Sequence, residues 1–263
     1  MNILNKILEQ KKLEVGALLE QPDPLVKFTE KKRRSLFETI QKSETLQVIS
    51  EMKRASPSKG LIAEGADPVK QAKIYAEAGA AAISVLTDKE FFKGSFDDLA
   101  AVAQAIETPI LCKDFMIDRV QIRFAKASGA SIILLIVAAL EEELLRDLYS
   151  YATSLGLEVL IEVHDIAELK RAVAVGARLI GVNNRDLRSF EVSLERTREI
   201  AEAFPFGEER VLISESGIWT KDDAQKVARM GASGVLVGES LMRSGDAGSA
   251  LRSLQVSKAG ASV

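Results

Sequence analysis

Cysteine and histidine are nearly absent from this chain. A single cysteine among 263 residues, Cys112, excludes an internal disulfide framework, and a single histidine, His164, leaves too few ligands for a zinc site of the usual Cys/His kind. No metal and no organic cofactor is expected. Long apolar runs are also missing: the longest, Ile132 to Leu140, is far shorter than the ~20 residues that a membrane-crossing helix needs. No charged-then-apolar leader opens the sequence, so a soluble cytoplasmic protein without a membrane partner is expected. Neither sign of charge dominates. A formal net charge of -3 argues against bulk binding of nucleic acid. The one basic run, Lys31-Lys-Arg-Arg34, is diluted by Glu30 and Glu38 and reads as a solvated helix face.

What the chain does have is internal repetition. Four segments share a short helical stretch ending in Gly-Ala followed by an apolar run: Ala76 to Val85, Ala125 to Leu134, Ala172 to Gly181 and Ala228 to Val237. Each reads as a helix C-terminus feeding a strand, because glycine takes the left-handed conformation that closes a helix and alanine permits close packing before the strand begins. Gly79, Gly129, Gly176 and Gly231 lie about fifty residues apart, twice the length of a βα unit. Four further strand candidates fall between them, at Gln47 to Lys53, Pro109 to Phe115, Glu158 to His164 and Arg210 to Ser216. Eight such strands alternating with helical stretches such as Pro68 to Ala78 and Glu141 to Leu155 predict an α/β fold, a (β/α)8 TIM barrel forming a single domain over residues 1–263. A doubly wound open sheet is the rival, but no Gly-x-Gly-x-x-Gly follows the first strand.

Residues 1–46 lie outside this count as an N-terminal helical extension. Ile3, Ile7, Leu13 and Leu18 recur at roughly helical spacing, Pro22 and Pro24 break the segment, and Leu25 to Lys42 reads as a second helical stretch. These helices would either plug the lower end of the barrel or cover its upper mouth. After Gly245, Asp246 to Gln255 suits one last helix, with Ala259 to Val263 frayed.

Barrel chemistry sits at the C-terminal ends of the strands, and side-chain parity indicates which strands carry it. Ile49, Glu51 and Lys53 share one face of the first strand. The same alternation gives Leu111, Lys113 and Phe115 on the third, Leu160, Glu162 and His164 on the fifth, Gly181, Asn183 and Arg185 on the sixth, and Ile213, Glu215 and Gly217 on the seventh. Each charged group follows an apolar residue, a glycine or a like-facing polar group two positions earlier, as an interior stripe does where it emerges at the mouth. Three cations, Lys53, Lys113 and Arg185, therefore face three carboxylates, Glu51, Glu162 and Glu215. Unpaired ions in a partly dry mouth cost several kcal/mol each, so mutual pairing is expected until substrate arrives. Ser214-Glu-Ser-Gly-Ile218 and Val237-Gly-Glu-Ser-Leu-Met242 place glycines after the last two strands, where barrels often bind phosphate through backbone N–H groups and a helix N-terminus. Gly217, Gly238 and Ser240 are the best candidates, with Glu239 contributing its N–H.

These motifs resemble a known family. Glu51-Met-Lys-Arg-Ala-Ser-Pro-Ser, Cys112-Lys-Asp-Phe-Met-Ile-Asp118, Leu160-Ile-Glu-Val-His164, Gly181-Val-Asn-Asn-Arg-Asp-Leu187 and the two glycine motifs are similar to those of the indole-3-glycerol-phosphate synthase family, from the N-terminal helices through Met242. The resemblance implies a carbon-carbon lyase of tryptophan biosynthesis that needs no cofactor. Its phosphorylated small-molecule substrate is 1-(2-carboxyphenylamino)-1-deoxyribulose 5-phosphate, closed to indole-3-glycerol phosphate with loss of CO2 and water. By the same resemblance Lys113 is the general acid of ring closure, and Lys53 and Glu51 complete the dehydration. Glu162 stabilises the cationic intermediate and tunes Lys113. Asn183 and Arg185 position the substrate, Glu215 and Ser216 line the site, Phe92 packs on the anthranilate ring, and Ser56 belongs to a loop that closes over the ligand. A monomer, or at most a weak homodimer, is expected.

Two other functions compete with this one. Phosphoribosylanthranilate isomerase, another phosphate-binding barrel, needs a carboxylic acid and a thiolate-like base, whereas Cys112 has the parity of the helix layer and lysines dominate the mouth. A phosphosugar sensor without turnover would have no use for Glu51, Lys53, Lys113 and Glu162 together. His164 is expected to hydrogen-bond at the rim rather than to react, and Trp219 has no assigned role.

Overall fold

A computed structural model of the chain describes residues 3–27, 31–57, 60–61, 65–186 and 189–258. Eight parallel strands form a closed barrel: β1 (Gln47–Met52), β2 (Ala82–Leu86), β3 (Ile110–Lys113), β4 (Ile132–Ile136), β5 (Glu158–Val163), β6 (Leu179–Asn183), β7 (Val211–Glu215) and β8 (Gly234–Val237). Each pairs with its sequence neighbours, and β1 closes the ring by pairing with both β2 and β8, Ile49 standing opposite Ala82 and Leu236. The strands are apolar on both faces because both are covered. Ile49, Leu111, Leu134, Leu160, Leu179, Ile213 and Leu236 fill the interior. Val48, Val85, Cys112, Ile133, Ile161, Ile180, Leu212 and Val235, of opposite parity, pack under the helices.

The outer layer consists of α3 (Pro68–Glu77), α4 (Phe96–Ala105), α5 (Arg119–Ala127), α6 (Glu142–Ser154), α7 (Ile166–Ala174), α8 (Glu195–Glu202), α9 (Lys221–Arg229), α10 (Glu239–Arg243) and α11 (Ala247–Leu254). Several start on side-chain caps: Asp67 before α3, Ser95 before α4, Asp118 before α5 and Thr220 before α9 each accept a backbone N–H of the first turn. The four repeat glycines have φ of 89°, 92°, 86° and 101° at Gly79, Gly129, Gly176 and Gly231, the left-handed closure that the Gly-Ala repeat predicts.

The N-terminal extension splits between the two ends of the barrel. Helix α1 (Ile3–Leu19) lies over the upper mouth, and α2 (Leu36–Lys42) seals the bottom with Leu36, Phe37 and Ile40 packed into the interior core. The inward face of α1 is Leu4, Ile7, Lys11 and Val15, so the expected stripe through Leu13 is one residue column off, and Leu13 is 70% exposed. The predicted helix from Leu25 to Lys42 is also shorter than expected. Only a 3-10 turn at Pro24–Lys27 and α2 itself are helical among its described residues. Lys31 to Arg34 is consequently a non-helical strap rather than a solvated helix face. Its Arg33 guanidinium donates to the carbonyls of Ala103 in the last turn of α4 and of Ile106 and Thr108 just beyond it. The frayed end expected at Ala259 to Val263 lies outside the described residues.

Candidate active site

The interior stripes become polar at the upper end of the barrel. Glu51, Lys113, Glu162, Asn183 and Glu215 end five strands and face one cavity of about 320 Å³, with Lys53 one residue beyond β1. The Lys113 ammonium stands near the centre, 3.7 Å from Glu162, 3.9 Å from Glu215 and 4.0 Å from Glu51. Lys53 pairs closely with Glu51, at 2.5 Å. The three carboxylates are almost fully buried, whereas Lys113 and Lys53 keep 17% and 22% of their side chains exposed. Negative charge is thus fixed in the floor while the ammonium groups face the space that a ligand would fill.

Burial and pairing compete at each of these groups. Burial works against the Lys113 charge, but Glu162, Glu51 and Glu215 outweigh it and hold the ammonium well above the usual lysine range. At Glu51 the burial penalty is overcome by Lys53 and Lys113, and its carboxyl stays below the usual range. Glu162 is drawn down in the same way by Lys113, with help from His164 and Asn183. Glu215 goes the other way. Burial and then the Glu162 charge push it up, because Lys113 does not compensate both carboxylates equally. Glu215 is therefore the carboxylate of the ring that takes up a proton most readily.

Hydrogen bonds fix the far wall. Asn183 Nδ2 donates to Glu162 at 3.1 Å, while its Oδ1 accepts from the Ser216 hydroxyl at 2.9 Å and the Arg185 N–H at 3.0 Å. Ser216 has φ of 65°, a left-handed conformation unusual for serine, and Asn184 holds it there by donating to its carbonyl. At Gly181 a Cβ would sit 2.0 Å from Glu215 Oε1, so a larger residue would displace that carboxylate. Gly217, Gly238, Glu239 and Ser240 gather at the ends of β7 and β8 on the same cavity wall. Gly238 precedes α10 without a side-chain cap, and a Cβ there would meet Glu51 Oε1 at 2.8 Å.

Arg185 departs from expectation. It lines the cavity but does not join the carboxylate ring; its guanidinium donates to the Phe190 carbonyl at 3.2 Å. The chain has already turned out of β6 at Arg185, which bridges to Val192 instead. The loop after β1 is also more ordered than a plain lid. Ala55–Ser56 pairs antiparallel with Gly60–Leu61, and Arg54 grips Asp98 at 2.6 and 3.0 Å. Ser58 and Lys59, part of the expected lid, lie outside the described residues. Ser56 and Phe92 line the cavity, and the Phe92 ring lies 6.0 Å from that of Phe115. Cys112 is fully buried beneath the helices, and burial pushes its thiol far up.

Sequence reasoning missed the attachment of α1. Lys11, 1% exposed, reaches Asp88 and Asp114 at 2.8 Å each, and Glu14 at 2.6 Å. Asp88 in turn accepts the N–H groups of Phe91 and Phe92, and Asp114 that of Phe115, so this buried cation braces the aromatic wall. The available signal was a lysine in register with Leu4, Ile7 and Val15 on an otherwise apolar helix face.

Comparison with known proteins agrees with the motifs. A family model described as indole-3-glycerol phosphate synthase matches residues 4–254. Proteins named indole-3-glycerol phosphate synthase are 54% identical over 246 residues in Exiguobacterium sibiricum, covering 92% of this chain and 93% of that one. The protein of that name in Oceanobacillus iheyensis is 48% identical over 246 residues, covering 93% of each. Among solved structures, thiamine phosphate pyrophosphorylase from Pyrococcus furiosus superposes with a TM-score of 0.59 at 19% identity, over 80% of this chain and 93% of that one, a likeness of barrel fold alone. With similarity of this extent running through every strand that ends at the mouth, the chain belongs to the indole-3-glycerol phosphate synthase family.

Proposed function

We propose that the chain closes 1-(2-carboxyphenylamino)-1-deoxyribulose 5-phosphate to indole-3-glycerol phosphate, releasing CO2 and water, with Lys113 as the acid of ring closure. The observation that carries this reading is an ammonium group set 3.7 to 4.0 Å from three buried carboxylates at the floor of a single cavity. As members of their family, such enzymes are decarboxylating lyases of tryptophan biosynthesis.

Ring closure joins the carboxyl-bearing aromatic carbon to the C2′ carbonyl carbon, and negative charge develops on the carbonyl oxygen. Lys113, fully protonated and directed into the cavity, neutralises and protonates that oxygen. The ring left behind carries positive charge, which ionised Glu162 stabilises from below. Departure of CO2 restores aromaticity. Dehydration then requires one group to protonate the hydroxyl leaving C2′ and another to accept a proton from C1′, which forms the indole double bond while the nitrogen keeps its hydrogen. Lys53 and Glu51, 2.5 Å apart, form an acid and base already in contact for these two transfers. Glu215, the carboxyl most readily protonated beside charged Glu162, offers a donor to the ligand, and Ser216 and Asn183 orient the substrate hydroxyls.

Phosphate is assigned to the N–H groups at Gly217, Gly238, Glu239 and Ser240, where the absence of a side-chain cap on α10 leaves first-turn donors available. Glu239 keeps its carboxylate away from that anion by pairing with Arg243 at 3.1 Å. Phe92, beside Phe115, offers the aromatic surface for the anthranilate ring, Arg185 has a guanidinium suited to its carboxylate, and Ser56 belongs to the segment that covers the ligand. The isomerase alternative lacks its base, since Cys112 faces away from the mouth.

Incubating the purified protein with the carboxyphenylamino substrate, without added metal, and following indole fluorescence tests the proposal. Product formation is expected. A flat trace with folded protein would refute it.

A further inference from the structure

The only histidine of the chain stands beside the carboxylate that faces Lys113. His164 follows β5 by one residue, and its side chain is 12% exposed. Nδ1 lies 3.0 Å from Glu168 Oε2, and Nε2 lies 3.4 Å from Glu162 Oε1. Glu168, in the first turn of α7, is itself fixed because the same oxygen accepts the His164 backbone N–H at 2.7 Å. Nε2 is buried and makes no hydrogen bond among the described residues, so its approach to Glu162 is a charge contact and not a hydrogen bond.

A neutral imidazole has one N–H and one lone pair. Either neutral tautomer would leave a lone pair beside a carboxylate oxygen here, whereas the imidazolium hydrogen-bonds Glu168 through Nδ1 and sets its positive charge 3.4 Å from Glu162. The charged groups around the ring favour the cation. Glu162 faces it from its own strand, Glu168 from α7 and, at longer range, Glu215 from β7; the opposing cation, Lys113 on β3, lies against the other oxygen of Glu162.

The geometry points to His164 as a positioning residue that sets which carboxylate around Lys113 is charged: as a fixed imidazolium it keeps Glu162 ionised, so that the proton retained by the crowded ring resides on Glu215. Asn183 donates to the same Glu162 oxygen, Oε1, at 3.1 Å, which leaves Oε2 directed at Lys113. Glu215 has no comparable support, and its Oε1 is buried without a hydrogen-bond partner among the described residues. The titration tendencies agree: burial opposes the charge on His164, but Glu162 and then Glu168 raise it to about 10, while Glu162 falls and Glu215 rises. The inference rests on the proposed function only for the role of Glu162; the charge on the histidine stands apart from it.

Because the histidine is unique, its nitrogen signals in untagged, 15N-histidine-labelled protein need no assignment. Imidazolium signals persisting to about pH 8 are expected, against an ordinary midpoint of about 6.5. A midpoint at or below that ordinary value would overturn the proposal. Glu168→Gln should lower the midpoint by about one pH unit or more. An unchanged midpoint in that variant would also count against it. His164→Gln should move the acidic limb of the kcat profile upward by about one pH unit or more, leaving the alkaline limb in place, as Glu162 becomes easier to protonate. A uniform loss of rate with both limbs unmoved would reduce His164 to a packing role and overturn the assignment. Absence of indole product from the wild-type protein would instead refute the proposed function, with the histidine titration still deciding the charge.

Discussion

The two ends of the barrel are closed by successive parts of one N-terminal segment, and by opposite means. At the bottom, α2 inserts Leu36, Phe37 and Ile40 into the interior core, and its N-terminus is held by Glu158, which accepts from the Ser35 hydroxyl and the Leu36 and Phe37 N–H groups. Arg178 stacks on the Phe37 ring, 3.7 Å from its centroid. At the top, α1 leaves a cavity beneath it and is held by one buried ammonium between Asp88 and Asp114. The lower closure derives its strength from apolar contact and an N-cap, whereas the upper adds a buried ion cluster to the apolar contacts of Leu4, Ile7 and Val15. A purely apolar lid would have filled the mouth, whereas an ion-paired one holds the helix in place and leaves the floor of Lys113, Glu51, Glu162 and Glu215 open to a ligand.

If the ends differ in this way, substitutions at the top should change rate and those at the bottom should change stability alone. The largest effect is expected for Lys113→Ala, which should reduce turnover by roughly 10²–10⁴-fold, the usual contribution of a general acid, while product still binds. Single-turnover fluorescence together with product titration measures both, and a near-normal rate would remove Lys113 from the acid role. Lys11→Met tests the charged closure. Removing one member of a buried ion cluster costs about 3–5 kcal/mol, and urea unfolding should show a loss of that order, accompanied by weaker substrate binding as Phe92 and Phe115 lose their support. Loss of stability with an unchanged KM would show that α1 is an anchor only.

Phe37→Ala probes the apolar closure. It should cost about 3 kcal/mol of stability, with kcat/KM unchanged at temperatures where the variant stays folded. A parallel fall in rate would break the division between the two ends. The smallest effect concerns pH. Glu215 is raised from an ordinary 4.5 to about 8 in the folded chain, so its contribution to stability is full below about 4.5 and is lost as pH rises through about 8. Comparing wild type with Glu215→Gln by chemical unfolding across that window should show the wild type losing its relative advantage as pH increases. A constant difference would mean that Glu215 is not raised.

Much of the upper mouth was legible as a pattern. Glu51, Lys113, Glu162, Asn183 and Glu215 could be read from strand parity because a β-strand alternates its faces strictly, and an interior stripe has nowhere else to emerge. The same logic weakened one residue past each strand. Arg185 was expected in the charged ring, yet it follows a turn and bonds to the Phe190 carbonyl. Lys11 was not recognised at all, since its partners Asp88 and Asp114 come from two strand ends far along the chain. The basic strap read as solvent-facing for a similar reason, because a backbone carbonyl that needs a donor leaves no trace in composition.

By itself the sequence determined what short-range rules govern: eight strands from a repeated Gly-Ala closure, the inward parity of the acids and bases, and the outward placement of Cys112. Only the tertiary structure decided which end each N-terminal helix covers and that Lys11 is buried. It also decided that the single histidine lies between two carboxylates. Those outcomes depend on distances between groups remote in the chain, and electrostatic energy follows distance and burial rather than sequence order.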